Sequence, residues 1–539
     1  MIRKIRLKKY KNFNDTEINF KSGRNILVGE NGVGKSSILQ AISLVLSGSY
    51  SRIENLGLES LFNAQTICEF LENSRKIEEL PELVVELYFS DKYTAANSFD
   101  VNGKYNTENI ECDGLQLKIS PNCEEYFDEI KEALSHNEPS FPFDYYKVEF
   151  TTFANKGYSN YNKRHKIKYS AIDTTSMNQT IATKNYVSQL FMNQSGKHRQ
   201  KISHKFRELS NDFSRRMYEE YIKSSDDEYK LKIKNATEKN FSDMLTAHKN
   251  EINIENLGLG ERVILGVGSS LALANEDAQV VLIEEPENHL SYLNMYKLIE
   301  IIKDGDDSKQ MFIATHSNMI ASRLELNNII IVGSGAHKTN LSELTPDTSR
   351  FFTKAPNLNV LNFILAKKVI LIEGDAEFIL LEKFYEMIRK NKPFADDVAI
   401  ISCGGKSFKR YLEIAKILGK KVAVITDNDG DFMKNIIENY DGIRDENIGI
   451  FSDKDDKNWT FEVCLYNANK DFYDNTFKTG HMINGALEYM IGKANNKKSK
   501  GNKAEAALRL LELLENGGES FYVPEYIKEA IEWVNPKND

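Results

Sequence analysis

The sequence is poor in the features that mark secreted and membrane proteins. Its five cysteines are scattered and form no C-x-x-C pair, so we expect neither a disulfide framework nor a structural zinc site. It contains no run of about 18 apolar residues, and its N-terminal segment lacks the apolar stretch of a signal peptide. These absences predict a cytoplasmic protein that has no membrane partner.

Length, composition and charge set only wide limits on the number of domains and the class of protein. The 539 residues exceed what one hydrophobic core normally holds, so about two or three domains are expected. Apolar residues make up 41% of the chain and charged residues 28%, as in an ordinary globular protein. The net charge of −9 does not exclude a nucleic-acid partner, because such binding depends on a local basic face and not on the sum of charges.

Short apolar runs alternate with helical segments in the second half of the chain. The runs are 280–283, 312–314, 328–332, 369–372, 398–401 and 422–425. This alternation is typical of parallel sheets in α/β domains, whose ligands bind at the carboxyl ends of the strands. An irregular segment at 350–365 predicts a domain boundary there.

Residues 185–250 are polar and highly charged and contain no proline. Within them, apolar side chains recur at steps of three and four residues, which predicts a long helix with one apolar stripe. The stripe consists of Ile202, Phe206, Leu209, Phe213, Met217 and Tyr221. The helix either packs on its own domain or forms an arm that dimerises or touches a partner.

Residues 29–36 fit the pattern G-x-x-x-x-G-K-[ST] and lie between an apolar strand and a helix-like segment. In this pattern backbone N–H groups surround phosphate oxygens, the lysine neutralises the terminal phosphates and the serine hydroxyl ligates Mg²⁺. The sequence therefore predicts an ATP site, with Ser36 also a metal ligand. Its residues are Gly29, Asn31, Gly32, Gly34, Lys35, Ser36 and Ser37.

Two later strands end in polar residues that would reach the same phosphate pocket. After 280–283 come Glu284 and Glu285. We predict that Glu284 lies near the Mg²⁺ coordination sphere and that Glu285 orients or deprotonates the attacking water. The strand at 312–314 is followed by His316, which is predicted to lie near the γ-phosphate.

A second set of carboxylates follows two strands of the C-terminal half. Glu373 ends the strand at 369–372 and Glu377 lies one helical turn later, while Asp427 and Asp429 follow the strand at 422–425. Clustered carboxylates stay ionised only when a cation holds them, and oxygen ligands favour Mg²⁺ or Mn²⁺. Two such ions can activate water and stabilise the leaving oxygen of a phosphodiester. The alternative is an acidic surface covered by solvent.

Together these motifs resemble those of the OLD (overcoming lysogenization defect) family of nucleases. The P-loop, the long helical insertion, and the E-E-P-E and T-H-S segments resemble an ABC ATPase head of the RecF, SMC and OLD type. The glutamate followed by Asp-x-Asp resembles a TOPRIM domain. The resemblance implies an α/β fold: an ABC-type head at 1–184 and 251–355, a helical, dimerising insertion at 185–250, and a Rossmann-like TOPRIM nuclease domain at 366–539.

The resemblance also implies roles for residues that spacing alone does not reveal. Glu462 becomes an additional metal ligand, and Lys503 becomes a catalytic lysine placed against the scissile phosphate, beside the catalytic acids Glu373, Asp427 and Asp429. ABC heads work as pairs, with a signature loop from one subunit closing over the nucleotide of the other. Here residues 257–261 carry Gly258 where a serine is usual, which implies ATP binding with slow hydrolysis.

The family implies a metal-dependent DNA endonuclease, gated by its ATPase head and active in anti-phage defence as a homodimer or larger homo-oligomer. Its partner would be a helicase-like protein, as for the Gabija A protein, or a retron reverse transcriptase with its DNA. The alternative is a RecF- or SMC-like DNA-repair ATPase whose TOPRIM-like domain only binds. Topoisomerase or primase chemistry is disfavoured, because no tyrosine-bearing domain is recognisable and primases normally carry no ABC head.

Overall fold

The chain divides into two compact units, Met1–His316 and Ser317–Asp539. The computed structural model describes residues 1–90, 98–135, 140–173, 187, 190–191, 194–218, 220, 244–277, 279–304, 309–333, 340–355, 359–405, 407–476, 486–491, 503–516 and 521–536. The division precedes the boundary expected at 350–365, and the domain limits given above stay predictions. No helix among the described residues is long and apolar enough to cross a bilayer.

The first unit contains strands and helices in alternation. Its strands are β1 (Ile2–Tyr10), β2 (Phe13–Asn19), β3 (Arg24–Val28), β4 (Leu83–Phe89), β5 (Asn102–Gly103), β6 (Cys112–Pro121), β7 (Tyr146–Thr152), β8 (Tyr169–Asp173), β9 (His248–Lys249), β10 (Ile252–Asn253), β11 (Val280–Glu284) and β12 (Gln310–Ala314). Its helices are α1 (Lys35–Ser47), α2 (Tyr50–Leu56), α3 (Ala64–Asn73), α4 (Ser98–Val101), α5 (Phe127–Ser135), α6 (Gly196–Met217), α7 (Leu259–Asp277) and α8 (Tyr292–Lys303).

Two sheets of this unit enclose the helix that follows the P-loop. An antiparallel sheet runs in the order β2-β1-β4-β6-β5, with β7 also paired to β6, and a parallel arrangement runs β3-β12-β11-β8. Helix α1 contacts strands of both sheets. Because it is covered on two sides, it is apolar at most positions and nearly all of its side chains are buried.

The second unit contains a four-stranded parallel sheet with helices around it. The strands of this sheet are β14 (Lys368–Ile372), β15 (Val398–Ser402), β16 (Lys421–Ile425) and β17 (Ile448–Phe451), and the short strand β13 (Ile329–Ile331) lies outside it. Its helices are α9 (Asn318–Arg323), α10 (Pro346–Lys354), α11 (Val360–Leu365), α12 (Asp375–Arg389), α13 (Phe408–Leu418), α14 (Phe461–Ala468), α15 (Lys470–Thr476), α16 (Ala486–Met490), α17 (Lys503–Glu515) and α18 (Glu525–Val534). The order β15-β14-β16-β17 is parallel throughout.

The insertion contains the predicted long helix. Helix α6 begins after Ser195, whose side chain accepts a hydrogen bond from the backbone N–H of His198, and it continues to Met217. The apolar stripe is largely exposed: Leu209 keeps 60% and Phe213 keeps 58% of its accessible surface. Leu209 and Phe213 are therefore not buried against their own unit. Tyr221, the last residue of the predicted stripe, lies outside the described residues.

Candidate nucleotide-binding and metal sites

The P-loop wraps the amino end of α1. Strand β3 ends just before Gly29, and Lys35 is 5% exposed, with its Nζ donating to the backbone oxygens of Gly29 at 3.1 Å and Glu30 at 2.8 Å. Gly34 has φ 107°, and a Cβ there would lie 2.6 Å from the Phe13 ring, so only glycine fits. The loop thus places its N–H groups at a helix amino terminus, the arrangement that binds phosphate.

The ends of β11 and β12 bring the predicted carboxylates and histidine together. Glu285 has φ 43°, a left-handed conformation that costs energy in a residue other than glycine, and its N–H donates to Ala314 O at 2.9 Å. One carboxylate oxygen of Glu285 lies 3.7 Å from His316 Nε2. Glu287 accepts from the hydroxyl of Thr315 at 2.7 Å and from the backbone N–H of His316 at 2.6 Å.

The charges in this pocket act on one another. Partial burial lowers the pKa of Lys35, and the carboxylates of Glu285, Glu287 and Glu284 oppose that effect. Burial and the charge of Lys35 lower the pKa of His316, although the same acidic loop opposes the change. His316 is therefore a neutral imidazole at neutral pH, suited to hydrogen bonding near a phosphate group and not to ion pairing.

The turn between β1 and β2 also reaches the P-loop, which sequence reasoning missed. The side-chain amide of Asn12 donates to the backbone oxygen of Gly32. Burial lowers the pKa of Lys11, and the charge of Glu284 partly opposes this change, so the two side chains interact electrostatically. The only signal in the sequence is the position of this turn shortly before a strand that leads into the P-loop.

The signature-like loop packs against the loop after β11. At Gly260 a Cβ would lie 2.9 Å from the backbone oxygen of His289, so a larger residue would push the two loops apart. Gly258, in contrast, has open space around its Cα. The structure therefore explains Gly260 by packing, and the effect of Gly258 on hydrolysis stays a prediction.

In the second unit, the register of neighbouring strands places the predicted acids at one edge. Strand β14 pairs in parallel with β16, and Leu371 lies opposite Val424. Glu373 follows the first strand and Asp427 follows the second, so both leave the sheet at its carboxyl edge. Glu377 lies in the first turn of α12, which starts at the same edge.

Repulsion and burial mark these acids as one electrostatic cluster. Burial first, and then the charges of Glu377, Glu373 and Glu462, raise the pKa of Asp427 to about 7. Burial together with Glu462 and Glu373 also raises the pKa of Glu377. Four of the five predicted carboxylate ligands of this metal site therefore influence one another.

Lys503 forms the basic side of this cluster, and it is paired with the acid Glu462. Glu462 lies in the first turn of α14, its side chain is 5% exposed, and it accepts from Lys503 Nζ at 2.8 Å. Burial lowers the pKa of Lys503, but the hydrogen bond to Glu462 and the nearby carboxylates outweigh it, so the net change raises the pKa. Lys503 is thus a permanent cation beside the acids.

One oxygen of the cluster has no partner in the described part of the chain. Glu373 Oε2 is buried and accepts no hydrogen bond there. A buried carboxylate oxygen left in this way is costly, and a divalent cation would satisfy it. Among the described residues, no three acidic, histidine or cysteine side chains stand close enough to hold a metal ion as they are. The donor set fits a hard cation that would draw the mutually repelling carboxylates inward.

The Asp427–Asp429 turn is held by a residue that sequence reasoning overlooked. Asn428 is fully buried, and its side-chain amide donates to the backbone oxygens of Asp453 at 2.9 Å and Asp455 at 3.0 Å. Asp429 is exposed, has φ 50°, and donates its N–H to Trp459 O at 3.2 Å. The loop after β17 therefore supports the acidic turn.

The loop after β15 also borders Glu373. The backbone N–H of Gly405 donates to the backbone oxygen of Glu373 at 3.0 Å. Lys406, which follows Gly405 in the segment Gly-Gly-Lys-Ser at 404–407, lies outside the described residues, and so does the lysine-rich run at 497–500.

The fold and these two sites define a P-loop ATPase head followed by a TOPRIM domain. Residues 24–322, more than half of the chain, match the family described as "AAA domain, putative AbiEii toxin, Type IV TA system", and the chain belongs to that family. Residues 364–429 match "Overcoming lysogenization defect protein-like, TOPRIM domain". The OLD-type combination of an ATPase head and a TOPRIM domain, and the α/β fold class, are therefore confirmed.

Two curated relatives share part of this arrangement. "OLD nuclease" of Thermus scotoductus is 25% identical over 191 residues, covering 32% of this chain and 35% of that protein. "Endonuclease GajA" of Bacillus cereus is 27% identical over 232 residues, covering 40% of this chain and 39% of that protein. The matched regions thus span less than two fifths of either relative. A solved structure, the SmcHead bound to the C-winged helix domain of ScpA, is 17% identical with a TM-score of 0.35, covering 61% of this chain and 93% of its own.

Proposed function

We propose that this chain is a DNA endonuclease of the OLD family that depends on Mg²⁺ or Mn²⁺ and is gated by its ATPase head. The acidic cluster at the carboxyl ends of β14 and β16 carries this proposal, because it joins mutually repelling carboxylates to an oxygen of Glu373 that is unsatisfied within the described residues. The OLD-like TOPRIM match and the names of the two relatives, a nuclease and an endonuclease, support it.

The residues of the cluster have complementary tasks. The metal ligands would be Glu373, Glu377, Asp427, Asp429 and Glu462. Bound divalent cations supply an activated water and stabilise charge on the leaving oxygen of a phosphodiester. Lys503 stays protonated at neutral pH, because nearby carboxylates raise its pKa, so it is suited to binding a phosphate oxygen and not to accepting a proton.

The continuity of the chain supports the gate. His316, which lies beside Glu285 in the nucleotide pocket, is followed directly by Ser317. The Ser317 hydroxyl accepts from the N–H of Ile320 at 3.3 Å and so caps α9, the first helix of the second unit. His316 is therefore adjacent in the chain to the first helix of the unit that carries the acids, and this junction is the route that we propose for the gate.

Plasmid nicking by the full chain tests this function. With Mg²⁺ or Mn²⁺ present, the wild type should nick supercoiled DNA and Glu377→Gln should not. Glu382→Gln is the matched control, because Glu382 is an exposed acid on the same helix α12. Equal cutting with and without ATP would show that the ATPase head does not gate the nuclease. If the wild type cuts no DNA, the alternative function is favoured, a DNA-repair ATPase whose TOPRIM-like domain only binds.

We also propose that the protein acts in anti-phage defence as a homo-oligomer, with a helicase-like protein or a retron reverse transcriptase and its DNA as partner. The exposed stripe on α6 supports the oligomer, since Leu209 and Phe213 are more than half exposed. The double change Leu209→Glu and Phe213→Glu should reduce the mass of the particle measured by sedimentation.

Phage plating on cells that carry the wild type or Asp427→Asn tests the defence role. Cells with the wild type should be protected, and cells with Asp427→Asn should not.

A further inference from the structure

A cavity of about 170 Å³ lies in the first unit beside the P-loop helix. Helices α1 and α2 and strands β8 and β11 form its walls. Its polar lining consists of Gln40, Ser43, Arg52 and Glu284, and the remaining surface is apolar. The volume is several times that of one water molecule, about 30 Å³, so the cavity has room for a small polyatomic ion.

Neutral groups of the described part of the chain anchor Arg52 in this cavity. Its Nη1 donates to the hydroxyl of Ser43 at 2.8 Å and to the hydroxyl of Tyr169 at 2.9 Å. Within the described residues, no carboxylate forms an ion pair with it. A guanidinium has about five N–H donors in a planar fork, so a positive charge and several donors remain for an oxyanion, the ligand that this fork fits best.

The other polar groups narrow the choice of anion. The Tyr10 hydroxyl donates to Gln40 Oε1 at 3.0 Å, which leaves the amide N–H groups of Gln40 to donate to a ligand. Glu284 adds an acceptor to the same cavity. A fully ionised anion such as sulfate would be repelled by this carboxylate, whereas phosphate at neutral pH keeps a P–OH group that can donate to it.

We propose that this cavity binds one inorganic phosphate ion, with Arg52 and Gln40 donating to its oxygens and Glu284 accepting from its P–OH group. The phosphate comes either from solution or from the γ-phosphate of ATP, because Glu284 ends the strand that supplies the acids of the nucleotide pocket. The site is separate from the acidic cluster of the second unit and does not depend on the nuclease activity proposed above.

The test measures binding of radiolabelled orthophosphate to the full chain while Mg²⁺ and saturating ADP occupy the P-loop. We expect one phosphate per chain, weakened about tenfold or more by Arg52→Gln, the usual effect of losing charge-assisted hydrogen bonds. Arg75→Gln is the matched control: Arg75 is exposed in the same unit, and its Nε donates to Leu71 O. Unlabelled sulfate should compete at least about tenfold less well than phosphate.

Three results would overturn the proposal: phosphate binding that disappears when ADP is bound, equal weakening by Arg52→Gln and Arg75→Gln, or equal competition by sulfate. Circular dichroism checks that Arg52→Gln folds. Should it not fold, Arg52→Lys keeps the charge but loses the fork, and intermediate affinity is then expected. Single-turnover hydrolysis of γ-labelled ATP identifies the source, since label kept by the wild type and lost by the variant marks the γ-phosphate as the ligand.

Discussion

Replacing Asp427 with asparagine should stabilise the metal-free protein at high pH while removing its response to divalent metal. Burial and the neighbouring carboxylates raise the pKa of this aspartate from 3.8 to about 7. The folded protein therefore holds the charged form at a cost, and asparagine, which has nearly the same shape, carries no such charge. A gain in stability joined to a loss of function is the expected signature of a site built to hold a cation.

The magnitude follows from the proton affinity. A change from 3.8 to about 7 corresponds to about 4 kcal/mol at 1.36 kcal/mol per tenfold change. Asp427 is only partly buried, and solvent screening reduces the penalty, so we expect a gain of about 2 kcal/mol. The unfolded state releases its proton near 3.8, so the wild type loses stability as the pH rises from there through about 7.

Urea unfolding of the full chain in the presence of a chelator, followed through the transition of the second unit, measures this effect. At about pH 8 Asp427→Asn should unfold at a higher urea concentration than the wild type, and the difference should shrink towards pH 4. Added Mn²⁺ should then raise the midpoint of the wild type but not that of the variant. Equal destabilisation by the variant at both pH values would refute the reasoning, because it would show that the carboxylate serves the fold and not a cation.

Three further changes test other contacts. Lys35→Ala should abolish nucleotide binding in a fluorescence titration and leave unfolding of the second unit unchanged, because its amino group is the cation of the P-loop. Lys503→Met should abolish DNA nicking and reduce the free energy of unfolding by about 1–2 kcal/mol, since the buried Glu462 loses its partner. Lys503→Arg keeps the charge and should therefore retain most of that stability. Asn428→Ala should lower the free energy of unfolding by about 1–3 kcal/mol in thermal melts, because two backbone oxygens of the neighbouring loop lose their donor.

The elements that sequence reasoning located well are those with strong local signals. The strands before the P-loop, Glu284, His316, Glu373 and Asp427 all appear where short apolar runs predicted them. In each case a buried parallel strand needs apolar residues on both faces, so the run and the polar residue that ends it are visible in the sequence alone.

Residues that act through long-range contacts were not predictable in this way. Asn12, Arg52 and Asn428 are ordinary polar residues whose neighbours in the sequence carry no pattern. The sequence predicted helix α6, but only the structure shows that Leu209 and Phe213 of its apolar stripe are left exposed. Periodicity reports which face is apolar, not what covers that face.

The amino-acid sequence by itself determined the order of elements and the kinds of chemical group at their ends, because propensity, apolar periodicity and the P-loop pattern act over a few neighbouring residues. The tertiary structure alone decided which of these groups lie close enough to change one another's pKa. It placed Glu462 and Lys503 beside Asp427, raised the pKa of that aspartate, and left Glu373 Oε2 buried and unsatisfied among the described residues. Burial and electrostatic repulsion depend on distances between residues far apart in the chain, and only folding sets those distances.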